Sequence, residues 1–258
     1  MSIKRLLILF LLLIAIAIPQ ANAFFGFSTK AISAISKNVK VLAEDEIIRL
    51  SKLSDEIQGT KKVGKELGKL NLPDDVFEDV FIRIAIYQKK ITRVTAERMF
   101  SRLSNVPGFR HALRKIVGNS NIGTVGHLNE LKIADAASAN GFKVRGIGEK
   151  FIDGLKKAPT DIDILLEKGG KLFAVEAKSH ALTTKISMDK FRADLDTLVA
   201  YKNMKGDRII PVFTITNKPY DLSYLKRLHY EASKRGVELI FGKPQEQIEQ
   251  IKMLESIL

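Results

Sequence analysis

A hairpin constrains this chain more than any other feature. Two strand-like runs, 160–167 and 171–178, flank Gly169-Gly170. Paired glycines between such runs signal a two-residue turn. With that turn Lys168 faces Lys171, and five steps back along each strand put Asp163 opposite Glu176. Two more steps put Asp161 opposite Lys178. Side chains alternate along a strand, so all four share one face. Directly opposed side chains have Cβ atoms about 4.5–5.5 Å apart, where like charges repel. Apolar flanks (Ile162, Ile164, Leu165; Leu172, Phe173, Val175) make the charges costly to bury without a ligand. Opposed carboxylates suit a bound cation, and a lysine beside them suits a water or an anionic substrate. The pattern points to metal-dependent hydrolysis of phosphodiesters.

Composition narrows the setting. The first 23 residues have the pattern of a secretory signal peptide: Lys4 and Arg5, an apolar run from Leu6 to Ile18, Pro19, and Ala21-Asn22-Ala23 as a cleavage site. The apolar run is short against the ~20 residues that span a bilayer, which favours cleavage over an uncleaved anchor helix. The expectation is an exported protein, periplasmic or secreted, with no stable membrane insertion after cleavage. The chain has no cysteine, which excludes thiol catalysis, cysteine-ligated zinc and lipid attachment at a cysteine. A chain of this size can build a core without disulfides.

The formal net charge of the 258 residues is +13, which favours anionic partners. Between residues 83 and 115 the only acid is Glu97, among Arg83, Lys89, Lys90, Arg93, Arg98, Arg102, Arg110, Arg114 and Lys115. Arg98, Arg102 and Arg110 are therefore candidate nucleic-acid contacts.

The chain divides into 1–23, a helical basic region at 24–120, and a mixed α/β region at 121–258. Ile32, Ile35, Val39 and Leu42, then Ile47, Leu50, Leu53 and Ile57, recur at helical spacing. Pro73-Asp74-Asp75 opens a helix reaching about Lys90. Thr95 is expected to cap a helix ending at Leu103, and Pro107-Gly108 to start one ending at Gly118. Beyond Asn119–Gly123 the expected elements are a helix at 124–140 stopped by Gly141, a strand at 142–148, the hairpin, a helix at 187–204, a strand at 208–214, a helix at 221–235, a strand at 237–241 and a helix at 245–256. Pro211 suggests that its strand lies near an edge or stops pairing there.

Order and residues together resemble the PD-(D/E)xK nuclease superfamily, which includes restriction endonucleases and Holliday-junction resolvases. The resemblance covers about 121–258. It is carried by Gly126-His127-Leu128-Asn129-Glu130, Gly141-Phe142-Lys143-Val144, Pro159-Thr160-Asp161-Ile162-Asp163 and Val175-Glu176-Ala177-Lys178. Pro159 precedes Thr160, so the literal "PD" is absent, and either Asp161 or Asp163 could be the main ligand; the register favours Asp163.

The resemblance implies an α/β fold with a restriction-endonuclease-like αβββαβ core and a mixed sheet, preceded by an all-α region. It implies a Mg²⁺-dependent endonuclease, with Mn²⁺ as an alternative ion. Asp163, Glu176 and Glu130 would hold the metal, aided by the Ala177 carbonyl. Lys178 would orient or help deprotonate the water and balance transition-state charge. Asp161, Lys190 and His180 are candidate substrate contacts, and His127 shares a helix face with Glu130. The partner is nucleic acid, DNA before RNA, and a homodimer is compatible with the pattern. The rival readings are an inactive nuclease-fold binding protein and a nuclease toxin acting on competing cells.

Overall fold

The computed structural model describes residues 82–118, 121–154 and 159–257. The signal-type segment, Phe24 to Gly68 and the helix start at Pro73 lie outside them. No helix among the described residues is long and apolar enough to cross a membrane.

Contacts group the chain into two compact units. Val117–Asn119 group with the residues up to Ser101; Arg102–Ile116 group with Ser120–Leu258. In the first unit residues 82–87 are helical. Helix α1 is Arg93–Leu103. Its cap is Thr92, not the expected Thr95: the Thr92 hydroxyl accepts the Thr95 N–H at 3.2 Å. A cap side chain must sit three residues before the amide it satisfies, which places it one turn earlier. Helix α2 is Phe109–Gly118 and belongs to the second unit as far as Ile116.

The second unit carries an α/β fold around a five-stranded mixed sheet. Helix α3 (Asn121–Ala139) is followed by β1 (Lys143–Phe151), β2 (Thr160–Lys168), β3 (Lys171–Lys178), α4 (Met188–Lys205), β4 (Ile209–Ile215), α5 (Leu222–Lys234), β5 (Glu238–Phe241) and α6 (Pro244–Ile257). The strands lie in sequence order. β1, β2 and β3 form an antiparallel meander, and β3, β4 and β5 are parallel. Parallel neighbours need long crossovers, which α4 and α5 supply.

Pro211 does not mark an edge: β4 lies between β3 and β5. The proline is accommodated because β5 pairs only with Val212–Ile215, leaving Pro211 one residue outside that pairing.

The core has a clear apolar origin. On α4, Phe191, Leu195, Leu198 and Tyr201 recur at helical spacing and are buried with Ile209, Phe213 and Ile215 of β4 and Tyr224 and Leu228 of α5. Phe191 meets Phe213 edge to face, centroids 4.8 Å apart. Ser187 caps α4 and Asp221 caps α5 through their side chains. Helices α3 and α6 pack together. Leu131, Ile133, Ala134 and Ala137 of α3 are buried, as are Ile248 and Ile251 of α6.

Candidate active site

The site forms where β2 parts from β3. The turn sits where the glycines place it, with Gly169 and Gly170 at φ 57° and 77° and Lys168 facing Lys171. Pairing then runs back to Ile164 opposite Val175 and stops. The next pair would be Asp163 and Glu176. Instead the Asp163 carboxylate accepts the Ala177 N–H at 2.8 Å. A continued ladder would have given that N–H to a β2 carbonyl; the side chain takes its place and the strands can splay.

Glu176 is buried, and its carboxylate pairs with the Lys178 ammonium. Lys178 also approaches Asp194 Oδ2 of α4 at 3.1 Å. Asp194 in turn meets Lys190 Nζ at 3.3 Å. Lys190 keeps most of its side chain in solvent, and its backbone N–H donates to the Ser187 hydroxyl. Glu130, on α3, is buried and hydrogen-bonded to His127 Nδ1 at 2.9 Å.

The electrostatics are those of crowded carboxylates. Burial pushes the Asp163 carboxyl well above the usual range, and the charges of Glu176 and Glu130 add to that, against Lys178 and the Ala177 N–H. Burial also raises Glu176; Lys178 opposes this, while Asp194 and Asp161 contribute to the rise. Burial acts to lower the Lys178 pKa, but Glu176, Asp163 and Asp194 outweigh it and raise the value. His180 is lowered by burial and then by Lys178 and Lys190, which puts it electrostatically near both. Its carbonyl accepts the Asn217 amide at 2.6 Å.

Asp161 departs from the register expectation. It has no partner on β3; it pairs across to Lys150 of β1, and its carboxylate lies 3.8 Å from Lys115 Nζ of α2. The reason is again the parting of β2 from β3, which begins before Asp161 could meet Lys178.

The basic strip also divides. Arg102 Nη1 donates to Asp135 Oδ1 at 2.9 Å, and Asp135 is buried. Arg102 is thus the partner of a buried carboxylate while part of its side chain stays in solvent. Arg98 is exposed and Arg110 half-buried.

Asp194 is the residue that spacing missed. It lies on α4, distant in sequence from the hairpin. Its only sequence signal was its place between Phe191 and Leu195, on the helix that follows the Lys178 strand.

As donors, the carboxylates of Asp163 and Glu176 are hard oxygen ligands of the type that Mg²⁺ or Mn²⁺ takes. Among the described residues no group of three or more His, Cys, Asp or Glu side chains is gathered as a metal cluster. The fit therefore rests on the donor type and on the repulsion around Asp163, which a cation would relieve.

No family model matches the chain, and no curated protein does. Among solved structures, the crystal structure of AF1548, a protein of unknown function, is similar at a TM-score of 0.36 and 16% identity. The match covers 51% of this chain and 71% of that one.

Proposed function

We propose that this chain is a divalent-metal-dependent nuclease of the PD-(D/E)xK type, cleaving phosphodiester bonds in DNA or RNA. The observation that carries the proposal is the convergence of Asp163, Glu176 and Lys178 at the point where the hairpin opens, with Asp163 bonded to the Ala177 N–H. The order α3-β1-β2-β3-α4-β4 supports a restriction-endonuclease-like core.

In this reading Asp163 and Glu176 hold the ion, and Glu130 supports it from α3. A bound Mg²⁺ or Mn²⁺ supplies positive charge that polarises the scissile phosphate and makes water a better nucleophile. Lys178, held by Glu176 and Asp194, is an ammonium and so acts as a donor. It orients the attacking water or a phosphate oxygen and balances the charge that develops there. His180, electrostatically near Lys178 and Lys190, and Lys190, paired with Asp194, are the substrate contacts this reading assigns.

Digestion of plasmid, single-stranded DNA and RNA with Mg²⁺, Mn²⁺ or EDTA tests the reading, with Glu176→Ala as the control. Metal-dependent cleavage lost in the control is the expected result. No cleavage of any substrate, with nucleic acid still bound, would leave the inactive binding protein instead.

The proposal includes export. N-terminal sequencing of the exported fraction should begin at Phe24; an intact N-terminus held at the membrane would replace cleavage by an anchor.

A further inference from the structure

A second group of charged side chains adjoins the carboxylate site, drawn from elements that the sequence separates. Helix α2 supplies His111, Arg114 and Lys115, and β1 supplies Lys150. The two lysines flank Asp161: Lys150 is its partner across the β1–β2 ladder, and Lys115 Nζ lies 3.8 Å from its carboxylate. His111 belongs to the same group. Its pKa is lowered by burial and then by Lys115, Lys150 and Arg114, with Asp161 opposing.

The group is held firmly. The Ile147 N–H donates to the Pro107 carbonyl at 2.9 Å, which ties the start of α2 to β1. Gly108 has φ +85°, and a Cβ there would collide with the Ile147 carbonyl oxygen, so only glycine allows this approach. Phe109, Ala112, Leu113 and Ile116 anchor α2 by burial. His111 and Lys150 stay exposed, and Arg114 and Lys115 half-buried.

We infer that His111, Arg114, Lys115 and Lys150 form a phosphate-binding subsite that holds the polynucleotide backbone beside the scissile bond. This rests on the nuclease reading and adds where the substrate strand runs. Asp161 is two residues from Asp163 along β2, about 7 Å, so the cations begin where the carboxylates end. Lys115 and Lys150, with His111 beside them, are gathered at one half-exposed carboxylate, so the lysines outnumber it. The Lys115–Asp161 approach is longer than a hydrogen bond, so a phosphate oxygen can compete for the ammonium. A compact anion would fill the basic group alone. A linear polyanion can place one phosphate there and another at the carboxylates with their cation. In this assignment Asp161 keeps the lysines oriented and is not itself a substrate contact.

The test is binding without catalysis. Fluorescence anisotropy in EDTA, with short labelled single-stranded DNA, duplex DNA and RNA of one sequence, gives affinity against salt. Lys115→Gln/Lys150→Gln should weaken binding about tenfold and flatten the log–log salt slope by about 2, one counterion per lost contact. Lys115→Arg should keep the slope. Lys226→Gln/Arg227→Gln, the same charge loss at exposed positions of α5, should leave it unchanged. An equal loss in that control, or no loss in the α2–β1 variant while its melting temperature stays wild-type, overturns the subsite. Wild-type hydrolysis of bis(p-nitrophenyl) phosphate with Mn²⁺ reports the catalytic reading separately. If neither that diester nor plasmid, single-stranded DNA or RNA is cut while the slope still falls, the basic group binds polynucleotide without a scissile bond and the nuclease reading falls.

Discussion

The carboxylate of Asp163 accepts the Ala177 N–H at 2.8 Å, one residue past Ile164 and two past Val175, the last paired positions of the hairpin. A side chain thus substitutes for main chain at the strand separation. It brings the Asp163 carboxylate to the strand that carries Glu176 and Lys178. The bond also keeps a buried-side amide satisfied, so the opening costs the sheet no orphaned donor there.

Asp163→Asn retains an acceptor for the Ala177 N–H but loses the charge. Metal-dependent cleavage should disappear while the circular dichroism spectrum stays wild-type. A folded variant with full activity would remove Asp163 from the site.

The same variant has a pH signature without metal. Asp163 in the folded chain is raised well above its ordinary 3.8, so the native state binds this proton more tightly than the unfolded state. Stability from this group is therefore lost as pH rises through the folded pKa. In EDTA, Asp163→Asn should melt above wild type at about pH 8, and the gap should narrow towards about pH 5. A gap that widens on acidification would contradict the sign. Adding Mn²⁺ should raise the wild-type melting temperature and leave the variant nearly unmoved.

In the proposed nuclease Asp194→Asn should lower turnover about 10–100-fold, as losing a partner that positions a reacting group does. It removes one of the two carboxylates that pair with Lys178. A positioning role predicts a change in the pH profile of turnover as well, with substrate affinity nearly kept. Asp194→Glu should restore part of the rate, and unchanged kinetics in Asp194→Asn would assign the residue to surface charge.

Phe213→Ala should cost about 3–5 kcal/mol in chemical denaturation. The ring is fully buried and meets Phe191 edge to face. A loss below about 1 kcal/mol would mean that the core around α4 and β4 collapses into the space.

Gly108→Ala should destabilise the chain and weaken the hold of α2 on β1. Both the positive φ and the clash that a Cβ would make with the Ile147 carbonyl oxygen oppose a side chain. Hydrogen exchange at Ile147, whose N–H is bonded to Pro107, reads the loosening directly. Unchanged protection there would show that the backbone adapts.

The turn, the alternation and the apolar flanks are local properties of 160–178, so the pairing of Lys168 with Lys171 and the approach of Asp163 to Glu176 could be read from spacing. A local signal also carried the helix stop at Gly141, with φ 77°. Three features needed the tertiary structure. Asp161 leaves Lys178 because β2 parts from β3, and strand separation is set by what a neighbouring side chain can bond to. Asp194 reaches Lys178 because the crossover after β3 lays α4 beside that strand, a long-range contact with no fixed sequence offset. The basic strip divides because Asp135 draws Arg102 into an ion pair while α2 carries His111, Arg114 and Lys115 to Lys150. Spacing orders neighbours along one element, whereas packing between elements decides which charges meet.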